Sequence, residues 1–150
     1  MSTPLVFTDR TAHAGLPFLF AGQAQKEATV NEAFARIDAL LSPAVEGEAT
    51  TPPASPGDGE SWIVADNAQG LWAGHEDHLA FHCAGRWMFA APADGRRIFD
   101  KSGPCQRVWR NGWQALALPP APAGGATVDA EARAALAALV DGLRATGLGI

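Results

Sequence analysis

The densest set of groups able to do chemistry is the segment Gly74–Cys83, GHEDHLAFHC, where His75, His78, His82 and Cys83 stand beside Glu76 and Asp77. On a helix the three histidines share one face and can chelate zinc. On a strand His78 and His82 stand about 13 Å apart, at ~3.3 Å per residue, too far to share one ion. Gly74, Gly85 and the aromatic surroundings favour a hairpin, so the histidines read as packed or exposed side chains and no metal site is assigned. The carboxylate pairs Asp94 with Asp100 and Glu60 with Asp66 could act as acid and base. Carboxylates in turns are more commonly solvated turn formers. There is no G-x-S-x-G elbow, Cys83 has no orienting framework, and Gly57-Asp58-Gly59 lacks the rest of a phosphate loop. No catalytic residue and no cofactor is expected.

The five tryptophans, Trp62, Trp72, Trp87, Trp109 and Trp113, offer a different chemistry. Exposed indoles stack on sugar rings; buried ones supply area to a small β core or to a subunit interface. Asn111-Gly112 is a favoured two-residue hairpin turn because both residues tolerate positive φ. Such a turn sets Arg110 opposite Trp113 and Trp109 opposite Gln114, which puts Trp109 and Trp113 on opposite faces of the ribbon. One of the two is then left for solvent or another chain, and both are candidate glycan-binding residues.

These side chains are positioned by a β zone between two helices, an α+β arrangement. Residues 1–43 form an N-terminal attachment segment whose helix runs from Gln23 to Leu41 without Gly or Pro. Val30, Phe34, Ile37 and Leu41 recur on one stripe of it, and Leu16, Phe18, Leu19 and Phe20 crowd upstream around Pro17. Residues 44–59, with Pro52, Pro53, Pro56, Gly57 and Gly59, read as an extended linker. Residues 60–118 read as a small antiparallel meander or sandwich-like domain with strands near Ser61–Ala65, Leu79–Cys83, Trp87–Ala91, Arg96–Asp100, Gln106–Arg110 and Trp113–Leu118. A second linker, 119–126, leads to a C-terminal segment, 127–150. Its helix, Asp129–Thr146, carries Leu136, Leu139 and Leu143 on a narrow seam and ends at Gly147 and Gly149. An alanine-rich helix of this length is marginal alone and needs packing, against copies of itself or against another chain.

Composition narrows the classes further. Of 150 residues 47% are hydrophobic and 18% charged, which excludes a disordered polar tail. A net charge of −5 without any basic block argues against nucleic-acid binding. No apolar run reaches the roughly 18–20 residues of a membrane span and no export signal is visible, so neither membrane insertion nor secretion is expected. Two cysteines, Cys83 and Cys105, read as reduced and structural.

At the first helix, Gly15–Leu41 (GLPFLFAGQAQKEATVNEAFARIDALL) resembles the opening of a family of tailed-phage, prophage and gene-transfer-agent proteins. Its run LPF-x-x-AGQAQK-x-x-T-x-NEA-x-x-x-LD-x-L is matched by Leu16–Phe18, Ala21–Lys26, Thr29, Asn31–Ala33 and Asp38, with Ile37 in place of the usual Leu. A PP-x-x-P-x-x-G-x-x-W-I-V run is matched by Pro52, Pro53, Pro56, Gly59 and Trp62–Val64. Gly70–Gly74 and Gly85–Trp87 follow the family's G-x-W stretches, and Thr127–Leu148 is similar to the tail of phage fibre proteins. The resemblance implies a virion component, a head-spike or tail-fibre protein that mediates attachment to a bacterial cell surface; the apolar seams of the two helices add the expectation of a base or connector, assembled in the bacterial cytoplasm as a cyclic homo-oligomer, three-fold or five-fold. Its partners would be capsid or tail proteins, a distal spike or fibre protein, and host capsular polysaccharide. Contacts with the particle or with sister subunits are expected at Leu16, Phe18, Leu19, Phe20, Val30, Phe34, Ile37, Leu136, Leu139 and Leu143. The alternatives are a carbohydrate-binding module working through Trp109 and Trp113, or a small glycan depolymerase.

Overall fold

The computed structural model describes Phe18 and residues 26–41, 43–124 and 129–150. Leu16, Leu19 and Phe20 lie outside the described residues. In chain order the elements are α1 (Lys26–Leu41), β1 (Ala44–Val45), β2 (Glu48–Ala49), β3 (Ser61–Val64), β4 (Leu79–Cys83), β5 (Arg86–Ala90), β6 (Arg97–Asp100), β7 (Cys105–Trp109), β8 (Trp113–Ala115) and α2 (Ala130–Ala145). The strands form two four-stranded sheets, ordered β1-β6-β7-β8 and β2-β3-β4-β5. The expected α+β architecture, helix then β zone then helix, is what the chain adopts.

Helix α1 ends at Leu41, two positions before Pro43, whose ring cannot continue a helix. The face that α1 buries is not the expected stripe. Asn31, Ala35, Asp38 and Ala39 are buried, with Phe34 and Leu40 packed against the core at the flanks. Ile37 and Leu41 stay 47% and 63% exposed. Two alanines four residues apart let the helix approach the sheets closely, and the buried Asn31 and Asp38 are both engaged there. Phe18 is also in this core, so it is unavailable as a particle contact. Arg36 pairs with Glu32 at 3.0 Å and donates to the Phe89 carbonyl at 2.9 Å, fixing α1 to β5.

Residues 44–59, expected as a linker, begin instead with a strap that joins the sheets. β1 runs parallel to β6, and β2 runs parallel to β3. The Phe99 and Lys101 amides donate to the Pro43 and Val45 carbonyls, while the Ile63 and Ala65 amides donate to Gly47 and Ala49, each at 2.9 Å. Val45 is fully buried. Consecutive pieces of chain therefore complete the edges of two different sheets, and the β zone is not purely antiparallel.

Between the sheets lies the main core, including Val45, Ile63, Leu79, Phe81, Met88, Ala90 and Ile98. The register places Ile63 beside Leu79 beside Ala90, and Phe81 beside Met88, on that inner face. The alternate residues of the second sheet form another cluster around fully buried Trp72, with Val64, Ala80, Trp62, Trp87 and Phe89. Trp72 reaches it from a 3-10 turn, Gly70–Trp72, and meets Trp87 edge to face at 5.0 Å. This sheet is thus covered on both faces.

Asp100, at the end of β6, is completely buried. Its Oδ1 accepts from the Ser102 amide at 2.9 Å and the Ser102 hydroxyl at 2.7 Å. Its Oδ2 is compensated by the charge of Arg107 Nη2 at 2.6 Å, without an aligned hydrogen bond. Arg107 Nη1 continues to Glu48 on β2, in the other sheet, at 2.8 Å. Burial pushes the Asp100 carboxyl upward, but the Ser102 donors and the Arg107 charge outweigh it, and the pKa lies below its usual 3.8. A depressed native pKa means stability that is present above the ordinary carboxylate range and lost as pH falls through the native value. Asp100→Ala is expected to destabilise the fold by about 3 kcal/mol at pH 7. Asp100→Asn is expected to flatten the loss of stability below pH ~5, read from urea denaturation across pH.

The β4–β5 hairpin turns on Ala84 and Gly85, both at positive φ (49° and 75°), and the Ala84 amide donates to Asp58 Oδ1 at 2.8 Å. A β-carbon in the left-handed region is costly, so Ala84→Gly is expected to stabilise the protein by about 0.5–1 kcal/mol in chemical denaturation.

Candidate functional site

Asn111 and Gly112 both adopt positive φ, as expected, but the loop they occupy holds three residues, Arg110–Gly112. Trp109 pairs directly with Trp113, Val108 with Gln114 and Arg107 with Ala115. The one-residue shift from the expected register moves the two indoles onto the same face, where they meet at 5.5 Å and 67°. Trp113 packs against the core and its Nε1 donates to the Asp77 carbonyl at 2.9 Å. That bond ties β8 to the loop before β4 and accounts for the register. Both rings are half-buried, so Trp113 is a packing residue and Trp109 keeps part of its surface.

The histidines are separated by their strand and turn positions. His75 stacks flat on Phe89 at 3.8 Å and meets His78 edge to face at 5.3 Å. His78 Nδ1 lies 2.9 Å from the Glu76 carbonyl, and since a carbonyl only accepts, that nitrogen carries the proton. His82 Nδ1 is turned instead toward the Gly57 carbonyl, 3.2 Å away. Among the described residues no group of three or more His, Cys, Asp or Glu is placed to hold a metal ion. His75 borders a depression of about 360 Å³ with Glu32, Arg36, Arg86, Trp87 and Phe89, where Arg36 is already committed to Glu32 and Phe89. Burial raises the Asp77 carboxyl, aided by the charges of Asp66 and Glu48, whereas backbone hydrogen bonding lowers that of Glu76.

Of the candidate carboxylate pairs, Asp100 is sealed behind Arg107 while Asp94 sits in an exposed turn, so the two do not face a common cleft.

Helix α2 begins where expected, with the Asp129 carboxylate accepting from the Ala132 amide at 2.9 Å, and ends before Gly147 in the left-handed region (φ 68°). None of its residues is buried. Leu136 and Leu139 are 49% and 59% exposed, and Leu143 is half-buried. Leu136, Ala137 and Val140 face Pro119–Pro122 across an apolar recess of about 380 Å³. The helix is not on a free tether: the Gln106 amide donates to Gly147, Ile150 to Leu116 and Leu118 to Ile150, so the tail lies against the end of β8.

A polar face that sequence reasoning missed lies on the outside of the first sheet. Arg97, Gln106, Val108, Arg110 and Gln114 border a cleft of about 400 Å³ there. The alternation Gln106, Val108, Arg110 carries the signal, but it becomes legible only with the pairing of β7 to β6 and β8.

Taken together these features define a two-sheet α+β domain with aromatic packing inside and uncommitted polar and apolar surfaces outside. Residues 30–114, more than half of the chain, match the family described as "Protein of unknown function (DUF2793)", and the chain belongs to that family. The match spans most of α1 and both sheets and stops before α2. No curated protein matches the sequence.

Cys83 is half-buried, and desolvation, with the nearby charges of Asp58 and Asp38, pushes its thiol up to about 11. Compared with its usual 9.0, the thiolate at pH 8 is reduced on the order of a hundredfold. Alkylation by iodoacetamide, followed by mass spectrometry, is expected to be at least tenfold slower at Cys83 in the native protein than in urea.

Proposed function

We propose that this chain is a non-enzymatic structural component of a phage-like particle, a gene transfer agent or tailed phage, serving as the base or connector of a head spike or fibre. The observation that carries the reading is α2, a capped helix with no buried residue that presents Leu136 and Leu139 to solvent. A soluble surface does not favour two exposed leucines on one helical seam unless something covers them. Ile37, one of the expected contacts, and Leu41 on α1 add a second apolar exposure. The N-terminal and C-terminal resemblances to phage and gene-transfer-agent proteins supply the biological setting: assembly in the bacterial cytoplasm, a place in the virion, and support of attachment to the host surface. Sister copies cover α2 in a three-fold or five-fold ring, and capsid or tail proteins and a distal fibre protein bind beyond it. Host capsular polysaccharide is the outward-facing partner in this scheme. The non-catalytic part of the reading is supported by Asp100, which is locked to Arg107 and closed to substrate.

Size-exclusion chromatography with light scattering tests the assembly. At micromolar concentration the chain is expected to elute as a closed ring of three or five copies. The double variant Leu136→Glu, Leu139→Glu is expected to be monomeric with an unchanged circular dichroism spectrum. A parent chain that stays monomeric up to 100 micromolar (roughly Kd weaker than 10⁻⁴ M, about −5.5 kcal/mol) removes the ring.

A further inference from the structure

The outer face of the first sheet gathers guanidinium groups that the fold itself does not use. Arg97, Val108 and Gln114 form one row across β6, β7 and β8, each the direct partner of the next. Along β7 the period of two places Gln106 before Val108, and Arg110 follows it at the start of the turn. Val108 is half-buried beneath these side chains, and Leu116 and Leu148 close one end of the 400 Å³ cleft. Among the described residues no acidic side chain lines it. Among the described residues Arg97 and Arg110 make no ion pair, whereas Arg36, Lys101, Arg107 and Arg144 each meet a carboxylate. Arg107 borders the cleft but directs its guanidinium to Asp100 and Glu48.

The geometry points to a binding site for an acidic oligosaccharide, a run of uronic-acid sugars with a carboxylate held between Arg97 and Arg110. A guanidinium fork matches a carboxylate in shape and charge. The Gln106 and Gln114 carboxamides both donate and accept, as sugar hydroxyls require, although Gln114 already spends one N–H on the Arg110 carbonyl at 3.1 Å. Val108 and Leu116 offer the apolar patch on which the C–H face of a pyranose rests. With strands roughly 4.8 Å apart, the row from Arg97 to Gln114 is about 10 Å long, the scale of a disaccharide. Two guanidiniums in a chain of net charge −5 are too few for the phosphate contacts of a nucleic acid. An acidic peptide would use the arginines and leave the carboxamides without hydroxyl partners. The site lies on the opposite face of the β7–β8 ribbon from Trp109 and Trp113 and exists in a single copy of the chain, independently of ring assembly.

The test is calorimetric titration of the full chain with trigalacturonic acid at low salt, beside maltotriose and triglutamate. Binding of trigalacturonate is expected, weakening as salt is raised, with at least tenfold weaker binding of the two comparators. Arg97→Ala and Arg110→Ala are each expected to reduce affinity about tenfold, with melting temperature unchanged because both side chains are exposed. In the parent protein the Nε–H resonances of Arg97 and Arg110 should shift on titration while that of Arg36 stays. The proposal is overturned by absence of trigalacturonate binding, by unaltered affinity in both variants, or by triglutamate binding as tightly, which would assign the cleft to an acidic peptide. Light scattering on the same samples reports ring formation separately, so failure of one reading leaves the other measurable.

Discussion

A carboxylate with no access to water must be answered by the protein around it, and Asp100 is answered from two sides. Ser102 closes the turn after β6 onto one oxygen, and Arg107 brings β7 to the other. The same guanidinium then reaches Glu48 on β2. Because β2 belongs to the second sheet, this chain of charges crosses the sandwich and fixes how far apart and in what register the two layers stand. The fully buried Val45 sits beside Asp100 as its direct partner across β1 and β6, so the polar tie and the apolar core share a border. Removing an isolated surface pair would cost little; removing one end here strands a charge in a place that cannot hydrate it.

The two layers are treated unequally. The second sheet is enclosed, with the inter-sheet core on one side and the Trp72 cluster on the other. Among the described residues the outer face of the first sheet is covered only in part, by the C-terminal tail at Phe99 and Gln106, which leaves Arg97, Val108 and Gln114 facing outward. Helix α2 adds little to the core; its proline approach and its tail hold it at the margin. The result is a stiff platform whose unspent surfaces, the α2 seam, the Ile37–Leu41 edge of α1 and the arginine face, are presented by elements that the interior holds in place.

Local chemistry was readable from the sequence and long-range pairing was not. Asp129 and Gly147 mark the limits of α2 because capping acts within a turn of the helix end. Strands β3 to β8 announce themselves by β-formers between turn residues. The strap was hidden because Ala44–Ala49 is short and lies among prolines; only the open edges of β6 and β3, far along the chain, make it strand. The face of α1 was misjudged because large apolar side chains were given more weight than Ala35 and Ala39, whose smallness lets the helix settle with Asn31 and Asp38 inward. The Trp109–Trp113 register turned on a bond from Trp113 to Asp77, an acceptor in the loop that leads into the other sheet, which no turn rule contains. Trp109 and Trp113, expected on opposite faces of the ribbon, therefore share one.

The strap also carries a kinetic consequence. β1 and β2 are two residues each and pair in parallel, so neither can form a hairpin and neither persists in isolation. β1 has to wait for β6, more than fifty positions later in the chain, while β4–β5 and β6–β7 can zip locally. Closure of the sandwich is therefore the late, slow event, made after the hairpins exist, and until it occurs two sheet edges stand open to whichever strand arrives first. A ribosome-bound chain meets that hazard from the moment β6 and β7 have paired until Val45 reaches its place beside Asp100.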